Sequence, residues 1–218
     1  MKKYTFFHNL ILWFTKLTGV LPALLFYKPK VFKMNDSCSF KLPKNVILMS
    51  NHKSLLDFPL YVMLFPFRTI RFQMAEVLYN KGKLFAWFLH CLGGIRVNRD
   101  TQDMAFIGNT LEILDKGGTV GIFPEGRLPV NGVSWPFKPS IAYIALHTDA
   151  PIIPIYTDGS YGIKKRTNVM IGEAIDVRQF LNGDELTQET YNHVTTLLEE
   201  KKNELQAELE RRLNKNEK

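Results

Sequence analysis

The chain has 218 residues, 22% of them charged and 45% hydrophobic, which excludes a disordered, collagen-like or low-complexity protein. The length fits one large domain with a real core. Two cysteines, Cys38 and Cys91, with no CxxC and no His/Cys cluster of zinc spacing, exclude a disulfide framework and argue against a structural metal, leaving a reducing compartment as the default. The net charge is +7 and is unevenly placed: residues 1–53 hold nine Lys against Asp36 alone, a local balance of +8, whereas residues 54–198 hold thirteen bases against fourteen acids. A basic end suits nucleic acid, anionic lipid or a phosphorylated substrate.

Residues 4–27 form an aromatic and aliphatic run long enough to invite a membrane-spanning reading, which needs about 20 apolar residues. His8, Asn9, Lys16, Gly19 and Pro22 interrupt it. A Lys near the centre of a span is costly and the Pro would kink the helix. The pattern predicts one or two short helices in the membrane interface, broken around Gly19–Pro22, with Lys2, Lys3, Lys28, Lys30 and Lys33 facing anionic headgroups. A helix packed on the core, a span and a signal peptide are the competing readings. Because the lysines border an aliphatic patch rather than forming a basic stripe, nucleic acid is not the expected partner.

From residue 45 short apolar runs alternate with helical stretches. Strands are predicted at Asn45–Ser50, Thr69–Met74, Ile95–Asn98, Thr119–Phe123, Pro151–Tyr156 and Asn168–Ile171. Helices are predicted at Leu55–Phe65, Lys83–Leu92, Thr101–Asp115 and Ser140–His147, the third stopped by Gly117-Gly118. Strands separated by helices of this length imply βαβ crossovers, hence an α/β fold with a mostly parallel sheet covered by helices. From about Glu185 to Lys218, Val194, Leu197, Leu198, Leu205, Leu209 and Leu213 give a packing helix one apolar stripe.

Three segments fall at strand-to-helix junctions, where open α/β sheets place their ligands. In Ser50-Asn51-His52-Lys53-Ser54-Leu55-Leu56-Asp57, His52 follows a strand and Asp57 comes five residues later. On one regular helix those positions lie roughly 140° apart, so the side chains meet only if His52 precedes the helix and Asp57 opens it. Asp57 could then hold Nδ1–H and leave Nε2 as a general base. Ser54-x-x-Asp57 also reads as a capping box, which alone would explain both residues. In Gly93-Gly94-Ile95-Arg96-Val97-Asn98-Arg99, Arg96 and Arg99 are guanidinium groups suited to phosphate, or simply surface arginines. In Phe123-Pro124-Glu125-Gly126-Arg127, Gly126 permits close backbone approach, Arg127 is a second anion clamp and Glu125 could orient it; an ordinary turn with an ion pair would look the same.

In this order the segments resemble the glycerolipid acyltransferase family, of the 1-acylglycerol-3-phosphate acyltransferase type. That family carries N-H-x-x-x-x-D, a segment ending in arginine, F-P-E-G-x-R and a Pro-containing strand. They stand here as Asn51-His52…Asp57, Gly94–Arg99, Phe123–Arg127 and Ala150-Pro151-Ile152-Ile153-Pro154-Ile155. Two departures are visible. Glu125-Gly126-Arg127 lacks the residue usually found between Gly and Arg, a form that also resembles 2-acyl-glycerophosphoethanolamine acyltransferases. The stretch Gln73–Leu78 has Ala75-Glu76 where many members carry a phosphate-binding lysine.

The resemblance implies transfer of a fatty acyl group from an acyl-carrier protein or coenzyme A thioester to a lysophospholipid hydroxyl, in phospholipid biosynthesis. His52 would be the base and Asp57 its orienting partner. Arg96, Arg99 and Arg127 would hold the phosphate, and the Gly126 N–H is a candidate oxyanion donor. It implies no metal or tightly bound cofactor; Cys91, in an apolar helical run, reads as core. Phe58, Leu60, Phe85, Trp87 and Phe88 are candidates for an acyl-chain groove. Residues 1–34 would associate with the cytoplasmic face of a membrane, and residues 35–218 would form one acyltransferase domain. A lysophosphatidylethanolamine or glycerol-3-phosphate acceptor, or a non-catalytic lipid binder, are the alternatives.

Overall fold

The structure is a computed structural model that describes residues 6–98, 104–181 and 185–216. Helix α1 (Phe6–Tyr27) leads into strand β1 (Lys30–Lys33). Then follow β2 (Val46–Ser50), α2 (Asp57–Leu64), β3 (Ile70–Ala75), α3 (Glu76–Tyr79), α4 (Lys83–Cys91), β4 (Ile95–Val97) and α5 (Ala105–Asp115). The chain continues through β5 (Thr119–Ile122), α6 (Ser140–Leu146), β6 (Ile152–Thr157), β7 (Asn168–Ile171), a 3-10 turn (Val177–Phe180) and α7 (Gln188–Asn216). Residues 101–103, where the helix of α5 was expected to begin, lie outside the described residues.

The described residues build one seven-stranded sheet in the order β1-β7-β6-β2-β5-β3-β4. Every neighbouring pair is parallel except β6 and β7. Both faces are covered, as the near-continuous apolar strands require. Alternation along β2 shows the division: Val46 and Leu48 point into a cluster shared with α1, α2 and α4, whereas Ile47 and Met49 point into one shared with α5, α6 and α7. The apolar stripe of α7 behaves as its pattern requires, burying Val194, Leu198, Leu205 and Leu209.

The expected break in α1 does not occur. The helix runs through Pro22 because tertiary packing holds it: it lies on α2 and α4. Gly19 sits at the crossing, where an added Cβ would come within 2.9 Å of Met63 Cε. Lys16 is buried, and its ammonium group donates to the carbonyls of Pro66 and Arg68 beyond the end of α2. The opposite face of α1 exposes Leu10, Trp13, Phe14, Leu17, Leu21, Leu24 and Leu25, an uninterrupted apolar stripe. By length and composition the helix could cross a membrane.

Strand β1 was not anticipated. Its sequence, KVFK, carries lysine at both ends and pairs on only one side, with β7, at the sheet edge. Such charge blunts an edge against further pairing and hides the strand from a hydrophobicity pattern.

Gly121 of β5 leaves room on the α2 side of the sheet for the Phe72 ring, which a methyl at that position would strike. Gly121→Ala is expected to destabilise the fold by about 1–3 kcal/mol, read as a lower urea midpoint at unchanged m-value.

Candidate active site

The site lies at the carboxyl ends of β2 and β5. Where β2 stops, Asn51 turns inward and is buried; its amide donates to the Thr157 carbonyl at 2.9 Å and its Oδ1 accepts the Thr157 N–H at 2.9 Å. The side chain thereby imitates one more ladder step between β2 and β6. It fixes the point at which the chain leaves the sheet.

His52 follows in that turn, and Asp57 is the first residue of α2, the arrangement under which the two can meet. His52 Nδ1 lies 2.8 Å from Asp57 Oδ2. The same oxygen accepts the backbone N–H groups of Lys53 at 2.7 Å and Ser54 at 2.9 Å, and Oδ1 accepts the Tyr161 hydroxyl. A buried carboxylate with these donors acts as acceptor, so Nδ1 donates and Nε2 carries the lone pair. Half of the capping box is present as well, since the Ser54 N–H bonds to Asp57; the Ser54 hydroxyl instead accepts from the Leu56 N–H at 3.2 Å. The two readings of Asp57 are therefore one structure.

The imidazole rests on the Phe123 ring, with centroids 4.3 Å apart and planes 13° apart, and Phe123 stacks in turn on Phe72 at 5.3 Å. This apolar floor covers one face of the imidazole.

Glu125 does not orient Arg127. It turns inward and is 1% exposed; Oε1 accepts the His52 N–H at 3.4 Å and Oε2 has no hydrogen-bond partner. Burial pushes its carboxyl up, opposed by the His52 N–H and the nearby Lys202 and Lys53. Gly126 takes the left-handed conformation, φ +67°, and its N–H closes the turn onto the Phe123 carbonyl at 2.9 Å. That bond occupies the donor that had been a candidate for an oxyanion. Arg127 is exposed, with its guanidinium over the Trp135 ring at 5.5 Å.

Arg96 is not brought to the site. It pairs with Glu76 and lies over the Tyr79 ring at 5.9 Å, because β4 runs beside β3 and places the two charges side by side. Arg99 lies outside the described residues. Lys138 lines the same cavity as His52, and its stem crosses Gly126: an added Cβ there would meet Lys138 Cε at 3.1 Å. Nothing in the Lys138-Pro139-Ser140 sequence marks that position. Cys91 is buried and burial raises its thiol, consistent with a core residue.

A cavity of about 910 Å³ opens from His52. Arg127 and Lys138 contribute to its polar lining, and Phe58, Phe72, Leu78, Phe85, Leu89 and Ile107 to its apolar walls. Of the groove candidates, Phe58 and Phe85 line it, Leu60 is core, and Trp87 and Phe88 do not reach it. Phe85 is also partly at the surface, beside exposed Leu84 and Trp87 on α4, the helix that packs on α1. Among the described residues no group of three or more His, Cys, Asp or Glu side chains is placed to hold a metal ion.

Fold and site define an α/β protein with a carboxylate-held histidine on the wall of a largely apolar cavity. A family model described as acyltransferase matches residues 33–158, so the chain belongs to the acyltransferase family. It is 28% identical over 161 residues to a 1-acyl-sn-glycerol-3-phosphate acyltransferase of Cocos nucifera, covering 70% of this chain and 51% of that protein. It is 27% identical over 139 residues to the human 1-acyl-sn-glycerol-3-phosphate acyltransferase beta, covering 62% and 50%. The chain thus spans about half the length of the curated relatives it matches. The crystal structure of the 1-acyl-sn-glycerophosphate (LPA) acyltransferase PlsC from Thermotoga maritima has the same fold, with a TM-score of 0.59 at 21% identity over 90% of this chain and 78% of that one.

Asn51→Leu leaves both polar groups of the Thr157 peptide buried without partners. It should lower unfolding free energy by about 2–4 kcal/mol in a denaturant titration.

Proposed function

We propose that the protein transfers a fatty acyl group from an acyl thioester to the free hydroxyl of a lysophospholipid, 1-acylglycerol-3-phosphate being the acceptor favoured by the relatives. The observation that carries this reading is the His52–Asp57 pair, oriented by the turn before α2, with His52 on the wall of the apolar cavity. His52 Nε2 takes the acceptor's hydroxyl proton as the oxygen attacks the thioester carbonyl. The tetrahedral intermediate then collapses, the C–S bond breaks, and the thiolate leaves with the proton returned from the imidazolium. Asp57 holds the ring in one tautomer and offsets the positive charge it gains. Arg127 and Lys138 hold the phosphate and so place the hydroxyl, while the walls from Phe58 to Leu89 take an acyl chain. The donor is an acyl-carrier protein or coenzyme A thioester, and no metal takes part in any of these steps.

The same reading assigns α1 to the membrane. One face docks on α2 and α4 and the other offers a stripe of leucines and aromatics, which suits a helix lying in the interface rather than crossing it. Lys28, Lys30 and Lys33 then face anionic headgroups. The free cysteines fit the cytoplasmic side. From β1 onward the chain forms the acyl-transfer unit.

The direct test is purified protein with a panel of lysolipids and both thioester classes, product being identified by mass spectrometry. His52→Ala is expected to lose at least about a thousandfold in kcat with an unchanged unfolding transition; retained turnover would refute the mechanism. Replacing Leu17 and Leu21 together with Asp should release the protein from lysophosphatidate-containing vesicles in a sedimentation assay while leaving its circular dichroism unaltered.

A further inference from the structure

Asp57 offers two oxygens, and the residues of its own loop account for only one of them. Oδ2 serves His52, Lys53 and Ser54; Oδ1 is met from a residue 104 positions away, Tyr161, in the segment joining β6 to β7. Without that hydroxyl, half of a carboxylate that is 0% exposed would be left without a donor. It would also be free to rotate about its own bond and exchange the oxygen that His52 uses.

The segment carrying Tyr161 is fastened on several sides. Asp158 Oδ1 accepts the Ser160 N–H at 3.0 Å and the Asn168 N–H at 3.1 Å, and the Thr167 hydroxyl donates to the Ser160 carbonyl at 2.6 Å. Gly159 lies against the stem of Lys53, where an added Cβ would come within 2.8 Å of the Lys53 Cβ. The Thr167 N–H bonds to the carbonyl of Tyr27, the last residue of α1, at 2.9 Å. The Tyr27 ring meets that of Tyr161 edge to face, with centroids 5.5 Å apart at 90°. The Tyr27 hydroxyl donates at 3.0 Å to the carbonyl of Leu56, the residue before Asp57. Tyr161 is therefore held by the end of α1 on one side and presses on the start of α2 on the other.

We propose that Tyr161 is a positioning residue, fixing the plane of the Asp57 carboxylate and through it the orientation of the His52 imidazole. The proposal rests on the reading of His52 as the base. Three tyrosines face Asp57: Tyr27 from α1, Tyr61 from α2 and Tyr161 from the β6–β7 segment. Burial first, and the Asp57 charge second, raise the hydroxyl of each above its ordinary value. Among the described residues, the charged groups near His52 include Glu125, which accepts its backbone N–H, Lys53 beside it, and Arg127 and Lys138 on the cavity that His52 also lines; Lys202 of α7 acts on Glu125. The tyrosines stay protonated through neutral pH, so Tyr161 is a permanent donor there. Its bond draws charge from the carboxylate that would otherwise go to the imidazolium.

The test is Tyr161→Phe in the full chain, assayed on lysophosphatidate vesicles with an acyl-coenzyme A donor, beside His52→Ala. The expected result is a fall of about tenfold in kcat with the acceptor KM unchanged. The acid limb of the kcat/KM–pH profile should also move to higher pH, since the stronger carboxylate charge stabilises protonated His52. The position of that limb does not depend on how much enzyme is folded, so it reads positioning even if the variant loses stability. A limb and kcat equal to wild type, with His52→Ala inactive, would overturn this proposal and leave the base assignment standing. Activity retained in His52→Ala would overturn the base assignment itself.

Discussion

The organisation of the site depends on one buried carboxylate. Asp57 is withdrawn from water at the start of α2 and accepts two backbone N–H groups, a ring nitrogen and a phenol. A charge in that position is tolerated only when it is nearly saturated with donors. The donors are supplied by the turn after β2, by the first residues approaching the helix and by the segment that follows β6, the strand beside β2. Folding around the carboxylate and orienting the histidine are one event. That economy explains why a helix-cap pattern and a catalytic pattern coincide in the sequence.

How much of this was legible follows from how local each part is. His52 and Asp57 are five residues apart, and helix geometry alone stated the condition under which they meet; the structure satisfies it. Strands β2, β5 and β6 were legible because each is buried on both faces and reads as an apolar run, and β3 because it alternates; β1 was not. Parts that depend on distant neighbours were not. Arg96 was assigned by residue type, but its charge is balanced by Glu76, which comes alongside only because β3 and β4 pair. Gly126 suggested a free N–H, yet the turn it enables uses that N–H itself. Pro22 and Gly19 signalled a break that packing against α2 overrode, and Gly19 proved to be a crossing point. Tyr161 gave no local signal, because its partner lies on another element.

Against His52 lie Phe123 and the inward-turned Glu125, whose second oxygen lacks a partner. Arg127 and Lys138 line the cavity that His52 also lines, so under the proposed function they are the cations available to an anionic headgroup.

Under the proposed membrane placement, the bare leucine and aromatic stripe of α1 changes what concentration means for this protein. Seated on a bilayer as proposed, it would meet an acceptor confined to the same sheet of lipid. Encounter then proceeds by lateral diffusion in two dimensions. Turnover would follow the mole fraction of lysolipid in the surface, so diluting the acceptor with inert phospholipid would slow the reaction even at constant total amount.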